Sequence, residues 1–313
     1  MRGKYGQARI RNILCPSDLS PKSQKALGFA ARFAEMLSAQ LTACYCAPAA
    51  WFTSDYHLPK EKAAEIRAIL EDGITKCQNP NSELKWRSLI IENSFDPAKE
   101  ILNLARETAV DLIVIKARPW VLSAFRFSSI VERVVSGATC PVLLMPSRFL
   151  AKRDPATSPL EFHRVLFDYD FSDATDELFH VANALTRDCK SHLHVLSILE
   201  TPALTSSEVA LVGRSRTTMQ TAVYGKLNEA LQAEGRSVIE VPTAVEWGNH
   251  ADTVLRYAKD HDIDLICTTL PSPHFYFEKL YSVYLGDLLR SVQCPVLVKQ
   301  AIQDYHCGAN YRF

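Results

Sequence analysis

The chain has 313 residues, 47% of them apolar, and its 35 Lys and Arg are balanced by 35 Asp and Glu. That length supports two hydrophobic cores of ordinary size. Zero formal net charge gives no reason to expect broad attraction to nucleic acid or to an anionic membrane.

In chain order, Ile10–Cys15 predicts a strand, and Pro16-Ser17-Asp18-Leu19-Ser20 a sharp exit from it. Ser20 can cap a helix with Pro21 at its first position. In that helix Ala26, Phe29, Ala30, Phe33 and Leu37 share one apolar face. Leu41–Cys46 predicts the next strand, Ala47–His57 a polar and aromatic loop, and Pro59–Cys77 a second amphipathic helix. Leu84–Ile91 is a third strand. A turn at Asn93–Asp96 leads into a helix over Pro97–Ala109 with Ile101, Leu102 and Ala105 as its buried stripe. Asp111 opens the fourth strand, Val131, Val134 and Val135 mark the next helix, and Val142–Met145 is the fifth strand. Strands alternating with helices in this way argue for a parallel sheet covered by helices, with binding chemistry at the carboxyl ends of its strands.

Pro146–Phe162 has no sustained period, and its charges, Ser, Thr and three prolines predict an exposed linker. The pattern then restarts with HRVLFDYDFSDATDELFHVANALTRDCKSHLHVLSI as strand, acidic turn, helix and strand. A long helix is predicted from about Glu208 to Ala233 and a strand over Val238–Ala244. A helix over Asn249–Lys259 starts from Asn249 as its cap. Asp264–Thr268, Tyr281–Ser291 and Pro295–Val298 supply the last strand, helix and strand. The tail AIQDYHCGANYRF is too aperiodic to place, and its His306 and Cys307 carry little functional weight.

Asp111 and Asp264 lie 153 positions apart, and the pairs Cys140-Pro141 and Cys294-Pro295 lie 154 apart, so the two halves read as a duplicated domain. The expected domains are 1–147 and 162–300, joined by a linker over 148–161 and followed by a tail over 301–313. Each is an α/β domain with a five-stranded parallel sheet and flanking helices. Terminal strands that pair within the chain would cover edges otherwise prone to aggregation; association of two chains stays open.

Nine cysteines, several of them inside strand-like apolar runs, fit buried thiols in a reducing cytoplasm. Cys44 and Cys46 face one side of a strand, but with Cys15 they find no nearby His or CxxC, and no metal site is expected. His192 and His194 share one side of a strand, which alone makes no zinc site. No run approaches 18 apolar residues, and MRGKYGQARIRNILCP lacks the apolar stretch of a signal peptide, so a cytoplasmic location is expected.

ILCPSDLSPKSQKAL and VLFDYDFSDATDEL resemble the opening strand, acidic turn and helix of the universal stress protein family, and DLIVI, SSIVERV and CPVLLMP its closing half. The resemblance covers roughly residues 9–147 and 162–300, the tandem two-domain form. It implies an adenine nucleotide alpha-hydrolase-like, Rossmann-like fold, ATP binding in some members, and pairing through the last strands. ATP-binding members place one glycine at the end of strand four, another three residues on, and a Gly-Ser or Gly-Thr pair before the next helix. Such glycines allow close phosphate approach, and the helix N-terminus offers free N–H groups.

Here Lys116 and Pro119 stand at the early glycines and Ser128-Ser129 at the glycine-hydroxyl pair. Lys116, Arg118 and Arg126 could attract phosphate and Ser129 could bond an anion, whereas Pro119 has no N–H and Ser128 carries a side chain where close approach is needed. The bland reading is a solvated basic loop. In the second copy Thr269, Ser272, Ser282 and Val283 replace the same frame, and the loop PSPHFYFEKLY is bulky. Phe275, Tyr276, Phe277 and Tyr281 there could line a pocket or a partner surface, or pack over their own sheet.

Asp18 and Asp170 match the family position near the adenine or ribose, and Asp18 could equally serve its own turn. Asp168, two residues earlier, could face the crevice with Asp170, but no nucleophile or metal frame accompanies them, so no catalytic residue is expected. Gly248-Asn249-His250 reads as a strand-to-helix turn close to a ligand site. The expected function is a cytoplasmic stress-response protein acting through ligand sensing or protein contacts, with degenerate ATP sites and without substantial catalysis. The alternative is an ATP- or ADP-binding switch built on the basic loop of the first domain.

Overall fold

The computed structural model describes residues 9–49, 58–117, 130–158, 161–171, 173–199, 208–236, 240–270 and 278–300. The first half runs β1 (Asn12–Pro16), α1 (Pro21–Leu37), β2 (Gln40–Pro48), α2 (Lys60–Thr75), β3 (Trp86–Ser94), α3 (Pro97–Glu107), β4 (Leu112–Ala117), α4 (Ile130–Gly137) and β5 (Val142–Pro146). A short helix, α5 (Ser147–Lys152), precedes the second half. There the order is β6 (Arg164–Asp168), α6 (Asp173–Asp188), β7 (His192–Leu199), α7 (Glu208–Ala233), β8 (Thr243–Trp247), α8 (His250–Asp260), β9 (Leu265–Leu270), α9 (Glu278–Ser291) and β10 (Val296–Gln300).

All ten strands form one sheet, in the order β3-β2-β1-β4-β5-β10-β9-β6-β7-β8. Every neighbouring pair is parallel except β5 and β10, which meet antiparallel with Leu143 opposite Leu297. The central strands are buried on both faces, as the uninterrupted burial of LIVIKA in β4 and LICTTL in β9 shows. That explains their continuous apolar runs, because helices cover both sides of a parallel sheet. Each face carries its own core layer, and each layer draws residues from both halves.

The Asp that opens β4 and its equivalent before β9 are structural. Asp111 Oδ2 accepts from the N–H groups of Arg11 and Asn12 at 2.8 and 2.9 Å. Asp264 accepts from His163 and Arg164 at 2.8 and 3.1 Å. Each carboxylate ties the start of a late strand to the start of the first strand of its half, across the point where strand order reverses. Such a reversal opens a crevice at the opposite, carboxyl ends of those strands.

Helix starts follow the expected caps. Ser20 Oγ accepts from Ser23 N–H at 3.3 Å with Pro21 leading α1, and Asn249 Oδ1 accepts from Asp252 N–H at 3.1 Å at the head of α8. The exposed linker is corrected. Phe149 and Leu150 of α5 are buried, and so are Pro155 and Phe162. Phe149 packs on Phe29 and Phe162 on Phe33, with ring centroids 5.1 and 5.5 Å apart. Lys25 Nζ donates to the Leu150 and Arg153 carbonyls at 3.1 and 3.0 Å. The charged residues of the segment masked four buried apolar anchors, two of which pack on rings of α1. The strand expected over Val238–Ala244 is also displaced, to β8; Val241 is buried just ahead of it. Among the described residues no helix is long and apolar enough to cross a membrane.

Candidate functional site

Each crevice is framed by the first strand of its half, the following turn and the late strand beside it. In the first half, β1 ends at Pro16 and the chain turns through Leu19, which holds φ 61°. The turn is fixed locally: Asp18 N–H donates to Ser23 Oγ at 3.2 Å, and Asp18 Oδ1 accepts from Ser20 N–H and Oγ at 3.1 and 2.5 Å. Lys116, near the end of β4, reaches across to this turn. Its Nζ donates to Asp18 Oδ2 in an ion pair and to Ser20 Oγ at 2.9 Å. Lys116 is 8% exposed. Partial burial opposes ionisation of Asp18, yet the hydrogen bonds from Lys116 and Ser20 hold its pKa down to about 2.

Lys116, which the sequence offered as a group that could attract phosphate, is here held by Asp18 and Ser20. Asp18 serves its own turn, as one of the two readings of the sequence had it. Arg118, Arg126, Ser128 and Ser129 lie outside the described residues.

The second half uses the same backbone with different chemistry. Phe171 repeats the left-handed turn at φ 63°. Asp170 accepts from Thr269 Oγ1 at 2.8 Å and, through its other oxygen, from Thr175 in a very short bond. Thr175 and Thr269 hydroxyls are themselves 3.1 Å apart. Asp168, at the end of β6, is 3% exposed. Its Oδ2 lies 2.6 Å from His250 Nε2 and accepts from Thr268 Oγ1 at 2.8 Å and Tyr284 OH at 3.4 Å. The other oxygen, Oδ1, is buried with no hydrogen-bond partner among the described residues. Tyr284 stands edge-on to His250 with centroids 4.9 Å apart. Burial, followed by the charge of Asp168, raises the Tyr284 phenol well above its ordinary range, so it remains a neutral donor.

Sequence reading found Asp168 and Asp170 and marked the Gly248-Asn249-His250 turn, but did not join His250 to Asp168. It missed Thr175, Thr268 and Tyr284 as crevice groups. Thr268 and Thr269 inside a β9 otherwise made of Leu, Ile and Cys were the available signal; Tyr284 offered none, being one aromatic in a helix of several. Ser272 and Phe275 to Phe277 lie outside the described residues.

Cys44 and Cys46 lie with the core layer opposite the one that holds Cys15, so the three thiols do not converge. Burial pushes Cys15 up to about 12 and Cys46 up to about 11. Among the described residues no group of three His, Cys, Asp or Glu could hold a metal ion.

The Universal stress protein family model matches residues 9–146 and again 161–299. The Bacillus subtilis protein named Universal stress protein YxiE is 29% identical over 146 residues, 44% of this chain and 99% of that protein. A universal stress protein from Methanothermobacter thermautotrophicus is 33% identical over 85 residues, 27% of this chain and 56% of that one. In structure, a universal stress protein from Archaeoglobus fulgidus superposes with a TM-score of 0.62 at 18% identity, covering 93% of this chain and 97% of the other. That likeness concerns the fold across both halves.

Proposed function

The chain belongs to the universal stress protein family, and from that premise we propose that it is a cytoplasmic stress-response protein acting through ligand sensing or protein contacts, without substantial catalysis. One observation carries the reading. Where a phosphate cradle needs bare backbone at the end of the fourth strand, Lys116 fills the space and is bound to Asp18 and Ser20. A phosphate arriving there would have to compete with the half-exposed Asp18 carboxylate for a Lys116 side chain that is only 9% exposed. In the second half Thr269 occupies the equivalent position, beside two carboxylates that repel a polyanion. Asp18, Lys116, Asp168 and Asp170 are then crevice residues of degenerate ATP sites.

Mass analysis of the purified protein under native and denaturing conditions tests this. The expected result is no stoichiometric ATP or ADP released on denaturation, and no calorimetric signal with added ATP. A stoichiometric nucleotide would overturn the reading in favour of an ATP- or ADP-binding switch. In that event Arg118→Ala and Arg126→Ala should weaken binding if the basic loop is the site.

A further inference from the structure

At the amino ends of β7 and β8, at the end of the second half opposite its own crevice, two helices finish side by side. α6 closes through a left-handed residue, Lys190 at φ 55°, whose N–H donates to the Arg187 carbonyl at 3.2 Å. Ser191 N–H follows to the Thr186 carbonyl at 2.8 Å. α7 closes through Gly235 at φ 68°, and Arg236 N–H donates to the Leu231 carbonyl at 2.8 Å. Both are left-handed helix caps. Between them lies a cleft of about 500 Å³ walled by Arg187, Lys190 and Arg236, with Glu240 as the only acid in its lining.

Two of the three cations, Arg187 and Arg236, are held by uncharged acceptors, and Lys190 is an exposed side chain beside them. Arg236 donates from Nε to Asn183 Oδ1 at 2.9 Å and from Nη2 to Thr186 Oγ1 at 3.3 Å, both uncharged acceptors. Arg187 Nη2 donates to the Glu234 backbone carbonyl at 2.7 Å. The Glu234 carboxylate is engaged elsewhere, 3.0 Å from His180 Nδ1 and 2.9 Å from Asn183 Nδ2. Among the described residues no ion pair forms to Arg187, Lys190 or Arg236. Burial and the neighbouring Arg187 both act against the charge on Arg236.

The first half shows that the fold does not require these cations. There α1 closes through Ser38 in the same left-handed cap, with Ser38 N–H donating to the Glu35 carbonyl at 3.1 Å. Glu35 therefore stands where Arg187 stands, three residues before the cap. Its carboxylate accepts from Asn79 N–H and Nδ2 at 2.9 and 3.1 Å and from Arg32 Nη1 at 3.1 Å, joining α1 to the turn after α2. One half closes the joint with a carboxylate neutralised by its own arginine, the other with guanidinium groups that have no carboxylate partner among the described residues.

We propose that this cleft is an anion site that takes a small phosphate-bearing ligand. Guanidinium groups held by neutral acceptors keep their remaining N–H donors oriented, and a planar fork matches phosphate oxygens. Three cations against one carboxylate suit a dianion.

The test is calorimetric titration of the full chain with inorganic pyrophosphate. Binding is expected, weakening as salt rises. Arg187→Gln combined with Lys190→Gln, both exposed positions, should lower affinity roughly tenfold or more, with an unchanged thermal melt reporting an intact fold. Glu240→Gln should tighten binding. Absence of binding, or equal affinity in the double variant, would overturn the proposal. Loss of binding in Lys116→Gln instead would place the anion in the first crevice and also overturn it. A short oligonucleotide preferred over pyrophosphate would reject the small-ligand class.

Discussion

The two crevices share a backbone and differ in charge. Both follow a first strand into a left-handed residue, Leu19 or Phe171, and both put a late-strand side chain against the turn carboxylate. In the first half that side chain is Lys116, and the carboxylate is closed by an ion pair. In the second it is Thr269, the neighbouring Thr268 adds a hydroxyl, and Asp168 replaces Pro16 as a second carboxylate bound to His250. A few choices at strand ends thus turn a self-neutralised turn into an acidic, imidazole-bearing cluster in which one oxygen of Asp168 has no hydrogen-bond partner among the described residues. The fold supplies the position and the side chains decide the chemistry.

The largest effect should come from the core that the halves share. Phe162→Ala removes a ring fully buried against Phe33 and should cost about 3–5 kcal/mol, read by urea unfolding. A single transition is expected, since both core layers draw on both halves; two separated transitions would show that the halves fold independently. Next, His250→Ala removes a group 2.6 Å from a carboxylate that is almost fully buried and should cost about 1–3 kcal/mol. Pro97, which follows the cap of α3 as His250 follows the cap of α8, should cost less than about 1 kcal/mol when changed to Ala. Equal costs would remove the proposed difference between the crevices.

Acid titration sharpens the same contrast. The Asp18 pKa of about 2 lies below the ordinary 3.8, so the unfolded chain takes up this proton first. Its contribution to stability is complete above about pH 4 and is lost as pH falls toward 2. Asp18→Asn should flatten stability against pH in that window, measured by denaturant midpoints. The smallest effect is expected at His194, whose Nδ1 lies 3.3 Å from Tyr257 OH with His261 against its ring. Burial, then the nearby His261 and Arg164, lower its pKa below 6.5. The unfolded state therefore binds the proton more readily, and stability should decline as pH falls below about 6.5. His194→Thr, which introduces the residue found at Thr42 on β2, should remove that part of the slope.

Much of the fold was legible because period and capping are local. The strand cores, Ser20 and Asn249 as caps, and α7 over Glu208–Ala233 follow from spacing and side-chain chemistry within a few residues. The linker was misread for the converse reason: Phe149, Leu150 and Phe162 owe their burial to α1, more than a hundred residues away. The sites divide in the same way. Asp18 and Asp170 were visible as turn residues. The partners that set their chemistry come from β4, β9, α8 and α9, and a crevice assembled from distant segments leaves no periodic trace.

The antiparallel meeting of β5 and β10 joins two halves that one chain already holds at fixed distance. Were the same seam formed by two identical chains, every substitution would appear twice, and the two sides could never carry opposite charges. Encoding both halves in one polypeptide removes that symmetry. Glu35 can remain an acid while Arg187 becomes a base, and Asp18 can take a lysine as its late-strand partner while Asp170 takes a threonine. The seam holds the halves together while each is free to acquire a ligand of its own.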